Sequence, residues 1–260
     1  IPVVVNGPER AMNLNTSGNL KSNYFCHADF STRATVDNSI KTCKQVTLEL
    51  TCMMKGYRGQ QTFMGLDGSI ILRGPNDDYK DTHPIEITGL GDKVVMHTTN
   101  SFNLNEWMTL SFVVDCTQGT VENKYKLYIN GVQETLIIDK QEETHSVVDL
   151  GSDGGRFEIG HASPYDWDWH AMQGIVSEAR IWTVARTQQE ISGNLCRLTE
   201  TNPVGLLAHW DFTAGVETDY IQDISGGQYE TNLTISLIGN NNLSPVQIPV
   251  GSFVEKGCPQ

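Results

Sequence analysis

The reading turns on Arg156 to Leu195, RFEIGHASPYDWDWHAMQGIVSEARIWTVARTQQEISGNL. Phe157 and Ile159 flank Glu158 and run into Gly160, while Ile175, Ser177, Ala179 and Ile181 alternate with Val176, Glu178, Arg180 and Trp182. Such a period of two sends successive side chains to opposite faces of a strand. Thr187-Gln188-Gln189-Glu190 follows with the spacing of a capping box, in which the threonine hydroxyl and the glutamate carboxylate satisfy amides left open at a helix start. The spacing predicts a short helix over about Gln188 to Asn194, closing near Gly193.

Outward from this stretch the same period recurs. Val46 to Met54 predicts a strand with Val46, Leu48, Leu50, Cys52 and Met54 turned inward, and Met12 to Asn15 a weaker one. Asp67-Gly68 between two apolar runs predicts a hairpin, because both residues tolerate positive φ, and Asn130-Gly131 marks the clearest tight turn. Ile85 to Ile87, Lys93 to His97, Trp107 to Asp115, Leu206 to Phe212, Thr231 to Ile238 and Val246 to Phe253 supply further strands; Pro75 to His83 is a polar loop, and no internal repeat is evident. Short strands separated by turn signals, with one convincing helix, predict an all-β antiparallel sandwich rather than βαβ units.

Gly174-x-x-Ser-Glu178-Ala-Arg180-Ile-Trp182 followed by Val184-Ala-Arg186-Thr-x-x-Glu190-Ile resembles the last core strand and trailing helix of laminin G-like, concanavalin A-like jelly rolls. Two other stretches agree: Glu106-Trp107 through Leu127-Tyr128-Ile129-Asn130-Gly131, and Gly205 to Phe212 with Asp223-Ile-Ser-Gly226. The resemblance covers about residues 45 to 226. It implies a two-sheet antiparallel jelly-roll sandwich with one short helix, and the last of these segments, which usually opens such domains, implies a permuted or extended topology. The whole of 1–260 is read as one laminin G-like domain, because all-β sandwiches often reach this length as one unit.

The formal charge of −13, from 18 basic and 31 acidic residues without a basic cluster, excludes attraction to nucleic acid or an anionic membrane. No apolar run reaches a membrane span, so membrane insertion is not expected. The opening Ile-Pro-Val-Val-Val-Asn-Gly-Pro lacks the basic region of a signal peptide and reads as a cut within a longer exported precursor. The expected location is extracellular, cell-surface or periplasmic.

Six cysteines would allow 15 pairings if all were bridged. Cys52 and Cys116 alternate with core residues and read as small hydrophobes; Cys26, Cys43 and Cys258 lie near element ends and are better disulfide candidates.

Retaining glucanases of the resembled family carry Glu-x-Asp-x-x-Glu, which sets nucleophile and acid on one sheet face. That motif is absent, and Glu217-Thr-Asp219-Tyr-Ile-Gln222 ends in an amide. No nucleophile elbow, phosphate loop, dinucleotide fingerprint or zinc motif is present. The resemblance also implies calcium as a candidate ion, held in part by an aspartate where this chain has Ser177, a poor substitute for a carboxylate. No cofactor is required by this reading and no metal ligand is assigned. Asp149 to Gly154 reads as a turn, and Asp77, Asp78 and Asp81 as a solvated acidic loop.

The candidate site is Tyr165-Asp166-Trp167-Asp168-Trp169-His170. If extended, Tyr165, Trp167 and Trp169 share one side and Asp166, Asp168 and His170 the other. Pyranose rings offer an apolar C–H face to indole and hydroxyls to acceptors, so the pattern suits a glycan or polysaccharide. The chain is therefore read as a non-catalytic carbohydrate-binding, lectin-like domain; an adhesion or protein-interaction module and a glycoside hydrolase with an unrecognised site are the alternatives. Fold alone does not choose among them.

Overall fold

In a computed structural model the chain is described over residues 10–15, 23–31, 37–75, 82–151, 156–162, 170–212, 219–227, 231–238, 243–247 and 252–259. In chain order the strands are β1 (Arg10–Asn13), β2 (Tyr24–Ala28), β3 (Gln45–Met54), β4 (Thr62–Leu66), β5 (Ile70–Arg73), β6 (Glu86–Gly89), β7 (Val94–Thr98), β8 (Trp107–Asp115) and β9 (Tyr125–Ile129). Then come β10 (Val132–Gln133), β11 (Leu136–Gln141), β12 (Phe157–Ile159), β13 (Gly174–Trp182), β14 (Leu206–Asp211), β15 (Tyr220–Ile221), β16 (Leu233–Leu237) and β17 (Phe253–Glu255). The first sheet has eight of them in the order β10-β9-β8-β3-β13-β1-β17, with β14 also on β13; the second has nine in the order β11-β7-β6-β5-β4-β12-β2-β16-β15. Every pairing of these strands is antiparallel, as the period-two patterning requires.

The core lies between the sheets. The inward set expected of β3, Val46, Leu48, Leu50, Cys52 and Met54, is fully buried there. It packs with Phe112 and Val114 of β8 and with Phe63, Ile70, Leu72, Met96, Phe157 and Ile159 of the second sheet. Each such side chain contributes about 1.5–3 kcal/mol through removal from water. Phe157 stacks on Trp210 with centroids 6.0 Å apart, and the Trp210 indole N–H donates to the Thr231 carbonyl at 2.8 Å, so this tryptophan is a core residue with its one donor satisfied.

β13 departs from the simple alternation. Val176 pairs with Cys52 and Glu178 with Thr51, which leaves Ser177 as the extra residue of a β-bulge. The phase of the strand flips there: Val176, Ala179 and Ile181 face the core, and Ile175 does not share their side. Both faces of β13 are buried along its whole length.

The turns follow their residues. Asn130 (φ 52°) and Gly131 (φ 77°) both take left-handed values and join β9 to β10, as a type I′ turn demands. At Asp67-Gly68 only Gly68 (φ 76°) is left-handed, and the Ser69 N–H donates to the Leu66 carbonyl at 3.0 Å. A type I′ turn needs positive φ at both central residues, so this turn is not of that kind. Of the expected strand from Val246 to Phe253, residues 248–251 lie outside the described residues, Val246 and Gln247 are not in a strand, and β17 begins at Phe253.

Two short α-helices occur among the described residues, not one: α1 (Val121–Lys124), which lacks a side-chain cap, and α2 (Gln188–Ser192). The expected box is present at α2. Thr187 Oγ1 accepts from the Glu190 amide at 3.3 Å, and the Thr187 amide donates to Glu190 Oε2 at 2.7 Å.

Cys196 and Cys258 form a disulfide. Cys26 and Cys43, expected as bridge candidates, are free thiols; Cys26 lies wholly within the core on β2, and the Cys43 thiol donates to the Ile40 carbonyl. Cys52 and Cys116 are also free, as the reading of small hydrophobes expects, and both pack on the core.

Two stability predictions follow from these contacts. Thr187→Ala removes the accepted amide bond and lowers unfolding free energy by about 0.5–2 kcal/mol, read as a fall in denaturant midpoint with unchanged slope. Reducing Cys196–Cys258, which spans 62 residues of chain, lowers stability by up to about 4 kcal/mol through regained chain entropy, read by denaturation with and without reductant.

Candidate functional site

Of the six residues assigned to the site from sequence, Tyr165, Asp166, Trp167, Asp168 and Trp169 lie outside the described residues, as do Asp77, Asp78 and Asp81. His170 is described and is 8% exposed, and Ala162, at the near side of the same segment, is also buried. His170 packs against His161 beside a polar array on the second sheet, on the face turned away from the core.

Strand register builds that surface. One row runs Thr234, His27, Glu158, Gly65, Ile71, Thr88 and Val95 across β16, β2, β12, β4, β5, β6 and β7. The next row, two residues along, sets Arg73 beside Glu86 and Glu86 beside His97. Gly65 is required in the first row, because a Cβ there would stand 2.5 Å from the Ile70 carbonyl oxygen.

The charges in these rows neutralise one another. Arg73 Nε donates to Glu86 Oε1 at 2.6 Å, and its other arm reaches Asp92 at 3.4 Å. His97 Nδ1 meets Asp139 Oδ2 at 2.6 Å, and Asp139 is the residue that a β-bulge inserts into β11. Glu158 uses both oxygens, taking Arg156 Nε at 3.0 Å and His161 Nδ1 at 2.9 Å. Next to this group His27 Nε2 lies 3.0 Å from Ser236 Oγ. His161 stands between Phe25 and His170, with ring centroids 5.3 and 6.2 Å away, and Phe25 packs with Ala171 and Ile238 in a small apolar cluster of its own. Burial of so many polar groups is tolerable only because they are paired.

Burial raises the Glu86 carboxyl, and the adjacent Arg73 only partly offsets this. Burial pushes His170 down to about 4, helped by the positive potential of His161 and Arg73. His145, at the rim of the sandwich, is also lowered to about 4 by burial. Its geometry fits the neutral ring: Tyr125 accepts the His145 backbone amide at 2.9 Å, leaving the phenol proton for Nδ1 at 2.8 Å, while Nε2 donates to the Ser69 carbonyl at 3.1 Å.

The calcium position implied by the fold family does not fit the ion in this chain. Ser177 is fully buried at the β13 bulge and its hydroxyl donates to the Thr51 carbonyl at 3.4 Å, so it offers no carboxylate and no open oxygen. Asp149 Oδ1 accepts the Gly151 amide at 2.8 Å, as a turn residue does. Among the described residues no three histidine, cysteine, aspartate or glutamate side chains come together as a metal site, and no helix is long and apolar enough to cross a membrane.

Residues 29–192, more than half of the chain, match the laminin G-type family model described as the concanavalin A-like lectin/glucanases superfamily, and the chain belongs to that family. The match begins earlier and ends sooner than residues 45 to 226, leaving Gly205 to Phe212 and Asp223 to Gly226 outside it. Among solved structures the chain is similar to a candidate carbohydrate binding protein from Bacteroides ovatus, at 20% identity and a TM-score of 0.66. That alignment covers 88% of this chain and 60% of the other, so this chain spans under two thirds of it. It is also similar to a heptameric SAP-like pentraxin from Limulus polyphemus, at 12% identity and a TM-score of 0.53, over 88% of this chain and 94% of that one. At these identities the likeness establishes the fold. No curated protein matches by sequence.

The two histidines lowered to about 4, His145 and His170, make a pH prediction. In the unfolded chain each titrates near 6.5, and in the folded protein near 4. Between those values the unfolded state binds more protons, so stability is full above the upper value and falls as pH drops toward the lower one. Denaturant midpoints measured across that window are expected to fall with pH, and His145→Gln to fall less steeply; parallel slopes would mean that His145 does not titrate as its hydrogen bonds require.

Proposed function

We propose that this chain is a non-catalytic carbohydrate-binding domain of an exported or cell-surface protein, with Tyr165, Asp166, Trp167, Asp168, Trp169 and His170 contacting the glycan. The observation that carries the reading is the polar outer face of the second sheet, against which His170 packs through His161, itself bonded to Glu158. Membership of a lectin and glucanase superfamily supports it. So does the likeness to the Bacteroides ovatus structure, whose description is of carbohydrate binding.

Sugar recognition needs fixed donors and acceptors beside an apolar platform. The rows on this face hold carboxylates, imidazoles and guanidinium groups in fixed, buried pairs that stiffen the support for a site, while the sequence sets tryptophans at Trp167 and Trp169. The pairing of the carboxylates favours binding over hydrolysis. Glu158 spends both oxygens on Arg156 and His161, and Glu86 is held by Arg73. A glycosidase instead needs one carboxyl able to donate a proton and a second open to the sugar or water.

The test is a glycan array, followed by calorimetry on any hit, with wild type and with Trp167→Ala and Trp169→Ala. Each variant is expected to lose binding while melting within a few degrees of wild type, and a large fall in melting temperature would mean instead that the tryptophan packs in the core. Binding equal to wild type in both variants would place the site elsewhere, and release of reducing sugar would overturn the non-catalytic reading.

A further inference from the structure

Among the described residues β11 is the terminal strand of the second sheet, and its residues from Ile137 to Gln141 are all exposed. The Thr99 amide donates to the Thr135 carbonyl at 3.1 Å. Alternation along an antiparallel ladder therefore turns the amides and carbonyls of Leu136 and Ile138 away from β7, toward solvent. An open row of this kind is a template for another strand. The bulge at Asp139 limits the regular part of the edge to Leu136–Ile138, so a short segment suits it better than a long one.

A cleft of about 260 Å³ lies beside this edge, where the two sheets part. Met96 and Tyr125, both buried, line it together with Leu136. The Tyr125 hydroxyl is committed to His145, so the cleft meets the ring. Ile138, paired with the cleft residue Met96, is 37% exposed, and Val132 on β10 of the first sheet is 60% exposed.

Charge selects the occupant. Glu122 and Glu134 line the cleft, and Asp139, Glu142 and Glu143 follow along β11 and its exit. Three of these five have partners, Asp139 with His97, Glu142 with Lys140 and Glu143 with Lys93, and Lys124 is turned inward onto Thr144 and the His145 carbonyl, so Glu122 and Glu134 are the carboxylates that set the charge of the cleft. With a net charge of −13 per chain, a second copy would bring like charges together at this edge, whereas a basic segment would be drawn to it.

We propose that β11 and its cleft receive an extended segment of a partner protein, which adds as a strand, places an apolar side chain over the cleft and carries lysine or arginine on either side. This mode takes affinity from main-chain hydrogen bonds and selectivity from alternate side chains. It does not rest on the glycan reading and uses a different part of the molecule.

The probe is a capped synthetic peptide, Lys-Thr-Val-Lys-Val-Thr-Lys, titrated by calorimetry into the full chain, with a second peptide carrying Glu for each Lys. The lysine peptide is expected to bind and to slow amide exchange at Leu136 and Ile138, and the glutamate peptide not to bind. Glu122→Lys with Glu134→Lys is expected to weaken binding by about tenfold or more, a loss of about 1.4 kcal/mol. Ile138→Pro removes an outward donor without touching the β7 ladder, and is expected to abolish binding while the Trp167→Ala chain still binds. Absence of binding by the lysine peptide, equal affinity for both peptides or for the charge-reversed chain, or protection of these amides through self-association seen by sedimentation, would each overturn the proposal.

Discussion

Burial of both faces of β13 is the constraint on which the rest of the structure depends. One face supplies Val176, Ala179 and Ile181 to the core; the other carries Glu178, Arg180 and Trp182, none of which reaches solvent. Buried charges must be paired. Arg180 donates to Glu178 at 2.6 Å and to Glu49 at 3.2 Å, His209 meets Glu178 at 2.7 Å, and the Trp182 indole donates to Glu49 at 2.7 Å. Burial would raise the Glu178 carboxyl, but the His209 hydrogen bond and the charges of Arg180 and Lys256 hold it below its ordinary value.

That network explains the chain that covers it. The Asn194 carbonyl accepts from Arg180, the Leu195 carbonyl accepts from Thr51 and Thr109, and Lys256 reaches Glu178 at 3.6 Å. The disulfide joins Cys196 and Cys258, next to these contacts, so the two covering segments are tied to each other as well as to the charges beneath. Arg186 stacks 4.0 Å over Trp182 and pairs with Glu200, linking the start of α2 to the same face. On the second sheet the same rule acts with a different result: charges pair along the rows of strand register, Arg73 with Glu86 and Glu158 with Arg156 and His161.

Much of the architecture was legible in the amino-acid order, because strands, turns and helix caps are local. Val46 to Met54 has its inward set, Asn130-Gly131 makes its left-handed turn, and Thr187 and Glu190 close their box, each through interactions spanning a few residues. The aromatic segment from Tyr165 to His170 is legible as a sequence pattern only, since all of it but His170 lies outside the described residues. The flip of β13 at Ser177 was not, since a bulge shows itself only against the register of Thr51 and Cys52.

What tertiary structure alone decided was the partners of the charged and sulfur-bearing residues. Glu178 and Arg180 read as the polar half of an alternating strand, yet their partners Glu49 and His209 come from other strands, and His97 finds Asp139 only after a bulge. Cys26 looked available for a bridge until its strand was placed in the core, and Cys258 found Cys196 only once the C-terminal segment crossed the first sheet. The physical reason is common to all of these: backbone preference and periodicity act over a few residues, whereas desolvation makes a buried charge or thiol depend on whatever the fold brings beside it.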